Sequence, residues 1–555
     1  MTFSRAPARK VFQRIRSLGV LGSVALAVAT LLVVPLLAVV VQAAKPGLGT
    51  IAHLIDTVLP EYVRNTLALC AGVAVGVAIL GVIPAWLVTS YRFPGRRAFE
   101  WLMVLPLAVP AYVIAYAYTD FLQFAGPLQT ALRDIPWWKA GGYRFPDVRS
   151  VGGAVLMFSL VLYPYVYLLA RAAFIEQSRN LLEAGRLLGL TARGTFFRIA
   201  IPLARPAIAA GIALALMETL ADFGTVAYFG VQTFTTGIFR AWLSMGDAAA
   251  ASQLAAGLLA VVIALIAFER WNRGAARYDQ GIARSSDRLQ PQGGLRAWGM
   301  TLVCALPSVF GFLLPALILL RLILTEPEPL FDARFFGFTM NSVSLAAMAS
   351  VAAVAIALLL AYAARLTRSG IVGWANRGVA LGYAVPGAVI AVGILIPVTR
   401  LDNWIAGLLE TQFNIKVGLL ITGTAAALIY AYLVRFLSVA LQTVEAGLAK
   451  VKPSMEDAAR SLGLSPRQVL ARVHAPMLAG SLFTAILIVF VDVMKELPVT
   501  FALRPFNFDT LAVQAYHFAS DERLPQAAAA SLVIVGVGLI PVILLSRAIA
   551  GKQAS

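Results

Sequence analysis

Charged side chains are scarce in this sequence. They make up 13% of its 555 residues, while hydrophobic residues make up 60%. A soluble protein of ordinary composition carries about 25% charged residues. The mean hydropathy of +0.82 leaves too little polar surface to cover a water-soluble fold of this size. The composition therefore excludes a soluble globular protein and indicates that a lipid bilayer surrounds most of the chain.

Cysteine and histidine are almost absent. The two cysteines, Cys70 and Cys304, lie in apolar runs, so they offer neither a disulfide framework nor a zinc-binding spacing. The three histidines, His53, His474 and His517, are too few and too scattered to form a histidine metal site. We therefore expect no catalytic site and no resident metal site in this chain.

A glycine-rich phosphate loop is also missing. The Gly551-Lys552 pair at the C-terminus has no preceding strand and no earlier glycine at the required spacing. We expect this chain not to be an enzyme and to bind no cofactor of its own. If ATP powers it, ATP and Mg belong to a separate ATPase subunit.

Long apolar runs predict about twelve transmembrane helices, because a helix needs roughly 20 apolar residues to cross the hydrocarbon core. The predicted spans are 18–42, 66–90, 98–122, 151–170, 206–230, 248–268, 298–324, 341–364, 378–399, 417–434, 478–502 and 526–546. A cleaved signal peptide is the alternative for the first run. Its apolar core would be about 7–15 residues long, and this run is longer, so we favour a retained helix.

Lysine and arginine indicate the orientation of these spans. With the N-terminus inside, most of the 45 basic residues fall in alternate connections, as the positive-inside rule requires. Both termini are therefore predicted to be cytoplasmic in a multi-pass membrane protein. The net charge of +18 then follows from membrane topology and does not require a nucleic-acid partner.

The sequence repeats itself. The segment AVPAYVIA at 108–115 returns as AVPGAVIA at 384–391, and EAGRLLGLTARGTFFRIAIP at 183–202 returns as DAARSLGLSPRQVLARVHAP at 457–476. The repeat predicts an all-α membrane fold of two pseudo-symmetric six-helix halves, 1–270 and 297–555, joined by a polar cytoplasmic linker at 271–296. An even number of spans in each half makes the repeat parallel.

The repeated inner loop between the fourth and fifth spans has a distinctive spacing. An acidic residue is followed six positions later by glycine, at Gly189 and Gly463, and then by proline at Pro202 and Pro476. This pattern predicts a helix, a tight turn that glycine permits, and a second helix that proline ends. We call 183–202 the first docking loop and 457–476 the second docking loop, because a rigid helical pair below the membrane can transmit force from a cytoplasmic partner.

Both docking loops resemble the EAA loop of permeases of binding-protein-dependent ABC importers. The residues that carry the resemblance are Glu183, Ala184, Gly185, Gly189, Ile199 and Pro202 in the first loop, and Glu456, Asp457, Ala458, Ala459, Gly463, Val473 and Pro476 in the second. The resemblance implies the type I permease fold, an ABC ATPase dimer that binds these loops, and a periplasmic binding protein. Two positions depart from the pattern: Gly185 replaces a small alanine, and Asp457 takes the place of glutamate, with Glu456 beside it.

Further segments resemble the fused permeases of ferric-iron importers, which receive Fe(III) from a periplasmic iron-binding protein. They are METLADFGTV at 217–226, YFGVQTFTTG at 228–237, KELP at 495–498 and RPFNFDTL at 504–511. Permeases for thiamine, sulfate, molybdate or polyamines are the alternatives within the same family. The outer segments 231–247 and 503–525 fit either a re-entrant gate or a docking surface for the binding protein.

Four carboxylates near the ends of the fifth spans are candidates for a cation path. Glu218 and Asp222 share a helix face, and Asp492 and Glu496 repeat them 274 residues later. Carboxylates in a span are costly and usually face a cavity or a partner, and their oxygens suit a hard cation such as Fe(III). The alternative is structural: these side chains pair with Lys495 or hydrogen-bond the unwound chain near Pro498.

Two functions of other classes are open at this point. An ion-coupled secondary transporter would also have parallel six-span halves and membrane carboxylates, and its uptake would survive without an ATPase. A membrane scaffold or insertase would show no stimulated ATPase activity. The duplicated docking loops favour the ABC importer permease over both.

Overall fold

The structure is a computed structural model of the chain. It describes residues 19–44, 48–135, 143–177, 185, 187–273, 289–326, 330–367 and 369–554. Two two-residue strands, β1 (Tyr91–Arg92) and β2 (Gln290–Pro291), pair in parallel, and helices make up nearly all of the other regular structure described.

The helices that precede β2 are numbered in chain order. They are α1 (Gly19–Ala43), α2 (Leu48–Thr57), α3 (Leu59–Ser90), α4 (Arg96–Leu102), α5 (Ala111–Leu122), α6 (Pro127–Arg133), α7 (Val151–Glu176), α8 (Ala192–Thr195), α9 (Ile201–Ala221), α10 (Gly224–Tyr228), α11 (Phe234–Phe239) and α12 (Ala248–Arg273).

The helices that follow β2 continue the numbering. They are α13 (Gly294–Ser308), α14 (Leu314–Thr325), α15 (Ala333–Thr367), α16 (Gly370–Ala380), α17 (Gly387–Phe413), α18 (Ala425–Ala449), α19 (Pro453–Ser461), α20 (Pro466–Val469), α21 (Ala475–Met494), α22 (Pro498–Leu503), α23 (Leu511–Ser520) and α24 (Leu524–Ala554).

The predicted all-α membrane class is confirmed. In the described ranges, 11 helices are long and apolar enough to cross a membrane, and the number rises to 12 if the bent pair 96–108 and 111–133 is one span. That pair, with 92° between its two parts, corresponds to the predicted span 98–122. Val109 is extended because the residue before a proline is disfavoured in the α region, so the helix breaks at Pro110.

Two kinds of predicted span boundary were wrong, and each kind of error occurs once in each half. The predicted span 378–399 contains the same break before Pro386, so the long helix there is α17. The spans predicted at 206–230 and 478–502 end earlier, with α9 at Ala221 and α21 at Met494, and the short helices α10 and α22 follow them. Apolar runs locate a span but do not report a local break in the backbone.

Contacts divide the chain into two compact units. The first contains residues 1–46, 247–256 and 336–510, and the second contains 47–246, 257–335 and 511–555. The division of the chain into halves 1–270 and 297–555, joined by a linker at 271–296, stays a prediction from the sequence repeat. Residues 274–288 of that linker lie outside the described ranges.

In the first unit, α1 packs on α16 and α17, and α18 packs on α21. The backbone oxygen of Pro35 in α1 approaches Gly393 of α17 so closely that a Cβ there would lie 2.4 Å from it. The first spanning helix by sequence is thus an integral part of the unit that holds 336–510.

In the second unit, α3 packs along α7, and α9 packs on both. Glycines on α3 permit this close approach. A Cβ on Gly81 would lie 2.8 Å from Val166 Cβ and 2.9 Å from the backbone nitrogen of Tyr167, and Gly76 faces Ser159 in the same way. Small residues at helix contacts are typical of membrane bundles, where close van der Waals packing drives association.

We predict that Gly81→Ala destabilises the second unit, because the new methyl group meets backbone atoms that cannot move aside. Overpacking of this kind costs about 1–3 kcal/mol. Thermal unfolding of the purified protein in detergent should show a lower midpoint. Gly536→Ala in α24 is the matched control, since nothing lies within 4 Å of its Cβ position. Equal midpoints for the two variants would contradict the packing argument.

Candidate functional site

The second docking loop is a helix, a glycine turn and a second helix, as the spacing predicts. Helix α19 ends at Ser461, and Gly463 has φ +83°, in the left-handed region that favours glycine. The turn closes with two bonds: the Gly463 amide donates to Arg460 O at 2.9 Å, and the Leu464 amide donates to Ala459 O at 3.2 Å. Ser465 and Gln468 then cap the next helix reciprocally, which fixes the direction in which the chain leaves the turn.

The first docking loop repeats this turn where it is described. Glu183 and Ala184 lie outside the described residues. Gly189 has φ +86°, and the Leu190 amide donates to Gly185 O at 3.1 Å, matching the bond from Leu464 to Ala459. Thr191 caps α8 through the Gly194 amide. The two turns therefore have the same backbone design.

One part of the predicted loop was wrong: proline does not end the second helix in either copy. Residues 192–221 and 471–494 are continuous helical runs that pass through Pro202 and Pro476. Proline removes one amide donor from the helix ladder, and a π-helical turn precedes each proline, at Phe196–Ala200 and Leu470–His474. These wider turns absorb the irregularity, so each docking loop continues directly into the fifth span.

Gly185, which departs from the family pattern, has a packing explanation. A Cβ on Gly185 would lie 2.4 Å from Ile199 Cδ1. The second copy has the larger Ala459 with the smaller Val473 at the corresponding positions. The extra methyl group on one partner is thus matched by a smaller side chain on the other.

The exposed face of both loops is apolar near the glycine. Leu187 and Leu188 are 89% and 86% exposed, and Leu462 is 82% exposed. Asp457, Ala458 and Pro476 are also exposed, whereas Glu456 and Ala459 are buried. These exposed side chains lie on the loops that the sequence analysis predicts to bind the ATPase, so they are the candidate contact residues.

Asp222 holds the break after the fifth span of the first half. Its carboxylate accepts hydrogen bonds from the Thr225 amide at 2.8 Å, the Thr225 hydroxyl at 3.2 Å and the Val226 amide at 3.4 Å. These groups belong to the first turn of α10, whose amides have no partner within the helix. Asp222 therefore stabilises the short helix. Glu218 is half-buried one turn earlier on α9.

Glu496 holds the same break in the second half with more contacts. It is 5% exposed and accepts from the amides of Val499 and Thr500 at 3.0–3.2 Å. Arg435 Nη1 also donates to it at 2.8 Å from the neighbouring helix α18. Asp492 lies 2.9 Å from Lys495 Nζ. Asp222, Asp492 and Glu496 therefore make the contacts that a structural role predicts. Each of them pairs with a basic side chain, accepts hydrogen bonds from backbone amides of the following short helix, or does both.

Arg435 was missed by the sequence analysis. It lies in an apolar run of α18 that also holds Tyr432 and Phe436, and it is 7% exposed. A single arginine inside an apolar run is the signal that a carboxylate lies nearby, because an unpaired buried charge is very costly. Within the described ranges, His, Cys, Asp and Glu form no group of three or more that could hold a metal ion.

We predict that Glu496→Leu strongly destabilises the protein, because it leaves Arg435 buried without its carboxylate and removes the acceptor for α22. Breaking a buried ion pair in this way costs about 3–5 kcal/mol. Thermal unfolding in detergent is the measurement, and Arg435→Met combined with Glu496→Leu should recover much of the loss. Glu410→Leu, at an exposed pair with Lys416, is the control. Unchanged unfolding of Glu496→Leu would argue against the pair.

Comparison with known proteins agrees with this geometry. The family model described as the binding-protein-dependent transport system inner membrane component matches residues 77–273. A Fe(3+)-transport system permease protein of Haemophilus influenzae is 27% identical over 529 residues, covering 93% of this chain and 96% of that protein. A probable ABC transporter permease protein of Sinorhizobium fredii is 25% identical and covers 92% of both chains.

A further relative matches only part of the chain. The sulfate transport system permease protein CysT of Escherichia coli is 28% identical over 253 residues, which cover 44% of this chain and 88% of that protein. The first two relatives thus match along both halves, and the family model covers the first docking loop. The chain therefore has the type I permease fold, its residues 77–273 match the family of binding-protein-dependent transport system inner membrane components, and it is similar along both halves to permeases of bacterial ABC transport systems.

Proposed function

We propose that this chain is the permease subunit of an ATP-driven importer that moves ferric iron across the inner membrane. The observation that carries the proposal is the match to a Fe(3+)-transport permease along both fused halves, at 93% of this chain. The segments that resemble iron permeases lie after the fifth spans, beside the breaks that Asp222 and Glu496 hold.

An ABC ATPase dimer binds the two docking loops in this proposal. The surface it meets consists of Leu187 and Leu188 in the first loop, and of Asp457, Ala458 and Leu462 in the second. ATP and Mg are bound by that partner. Both termini are cytoplasmic, which puts the docking loops on the ATPase side of the membrane.

Transport proceeds by alternating access. Closure of the ATPase dimer moves the docking loops, and each loop continues as an unbroken helical run through Pro202 or Pro476 into the fifth span. The motion therefore reaches the breaks at Asp222 and Glu496 without passing through a flexible joint. A periplasmic iron-binding protein delivers the solute when the outer side opens.

In each unit taken separately, carboxylates are the proposed contacts of the transported cation: Glu218 and Asp222 in the second unit, and Asp492 and Glu496 in the first. Since Asp222 and Glu496 also hold the short helices after the fifth spans, an opening of these helices would release carboxylate oxygens toward a passing cation. Tight retention is not expected, because a permease must release what it carries.

Sulfate is the second candidate solute, since a sulfate permease matches about half of this chain. Thiamine, molybdate and polyamines are further candidate solutes within the family.

The test is uptake into vesicles that hold the full complex of permease, ATPase and binding protein. We expect ATP-dependent accumulation of labelled ferric iron, and no accumulation of labelled sulfate or thiamine above the level without ATP. Accumulation of sulfate or thiamine instead would replace iron as the solute. Uptake that persists without the ATPase and collapses with the proton gradient would favour a secondary transporter.

We predict that Gly463→Ala lowers transport and the stimulation of ATPase activity by the loaded binding protein. A residue with a side chain pays about 1–2 kcal/mol in the left-handed region, so the turn that orients α19 is strained. Gly480→Ala in α21 is the control, since it has open space and no positive φ. Gly189→Pro should uncouple transport through the first loop, and normal uptake in that variant would count against the coupling role.

A further inference from the structure

Glu456 has a different environment from the residue beside it. Asp457 is exposed, whereas Glu456 is 8% exposed and points into the protein. Its Oε1 atom lies 2.5 Å from Arg365 Nε and 3.1 Å from His474 Nε2, and its Oε2 atom lies 3.9 Å from Arg460. The two neighbouring acids therefore have separate roles: one is available to a partner, and the other is held within the first unit.

Arg365 extends this contact to a further helix. Its Nη1 atom donates to Leu448 O at 2.5 Å, and its Nη2 atom donates to Val451 O at 2.7 Å. These carbonyls lie at and just beyond the C-terminal end of α18, where a helix favours positive charge. Glu456 itself lies in the first turn of α19, where a helix favours negative charge.

Four helical elements thus meet at one cluster of charged and polar groups. Arg365 is near the end of α15, Leu448 is near the end of α18, Glu456 is in α19, and His474 precedes α21. The ring of Tyr362 packs on His474 at a centroid distance of 5.4 Å. We call Arg365, Glu456 and His474 the loop anchor.

We propose that Glu456 is a positioning residue: through Arg365 and His474 it fixes the second docking loop to α15, α18 and the fifth span, so that these elements move together when the loop is pushed. This proposal rests on the proposed function, since the loop must be driven by an ATPase. In this proposal the ATPase binds the exposed face that includes Asp457, and the buried Glu456 transmits the motion of the loop to the helices around it.

The first half does not repeat the loop anchor in its sequence. The repeat offsets of 274 and 276 bring Leu182 to the position of Glu456, Ala200 to that of His474 and Thr89 to that of Arg365. None of these three side chains is ionisable. The two docking loops consequently have the same glycine turn, but the three positions that form the loop anchor in the second half carry no ionisable side chain in the first.

The test uses the full complex in lipid vesicles and compares Glu456→Gln with wild type. We expect Glu456→Gln to retain the ATPase subunit on purification and to keep its basal ATPase activity within about twofold. Stimulation by the loaded binding protein and solute uptake should fall by about tenfold, within the usual range of coupling between sites. Glu456→Asp, which keeps the charge, should recover part of both. Glu410→Gln is the matched exposed control.

A second variant separates coupling from folding. Arg365→Gln combined with Glu456→Gln leaves no unpaired charge at the loop anchor, so the complex is expected to assemble, with an unfolding midpoint lowered only by the loss of the Arg365 bonds to the Leu448 and Val451 carbonyls. Its stimulation should be no lower than that of either single variant, because residues acting as one pair are not additive. Stimulation of the double variant at the wild-type level would overturn the proposal.

Two other outcomes have distinct meanings. Equal losses in Glu456→Gln and Glu456→Asp, with a lowered unfolding midpoint in both, would also overturn the proposal and leave a structural role. If the wild-type complex itself shows no stimulated ATPase activity with any loaded binding protein, the proposed function fails rather than the loop anchor. Normal wild-type stimulation with an unaffected Glu456→Gln variant rejects the loop anchor alone.

Discussion

Backbone polar groups that lie near a bilayer need partners inside the protein, and this requirement explains the carboxylates at the breaks that follow the fifth spans. Lipid offers neither donors nor acceptors, so an open helix end there is costly. The chain meets the requirement with the carboxylates of Asp222 and Glu496, which accept from the amides of the short helices, while π-helical turns precede Pro202 and Pro476 in the docking loops. The interruptions are therefore ordered parts of the structure, and each docking loop stays continuous with its span.

The two halves of the repeat share backbone contacts but differ in their charged contacts. Asn65 donates to Gln232 O and Asn341 donates to Asp509 O, so the same amide contact appears in both copies. Charged contacts are not conserved in this way: Glu100 pairs with Arg96 and Arg171, whereas Asn376 at the corresponding site has Glu445 at 3.5 Å. One polypeptide with two halves can hold such differences, which a symmetric pair of identical subunits cannot.

Sequence reasoning found most of the architecture because its signals are local. Apolar runs locate spans, and glycine at a fixed distance from an acid locates a turn, so Gly189 and Gly463 could be named before any coordinates. It was wrong about the ends of the fifth spans and about Pro202 and Pro476. A π turn and a capping carboxylate depend on backbone geometry, which the order of residue types does not report.

By itself, the sequence determined the membrane class, the duplicated docking loops and the acidic residues at the ends of the fifth spans, since composition and spacing are properties of the chain alone. Only the tertiary structure decided what those acids contact. It put Arg435 against Glu496 and Arg365 against Glu456 across long stretches of sequence, and it separated the buried Glu456 from the exposed Asp457. The physical reason is that a charge is stabilised by the group beside it in space, and packing selects that group.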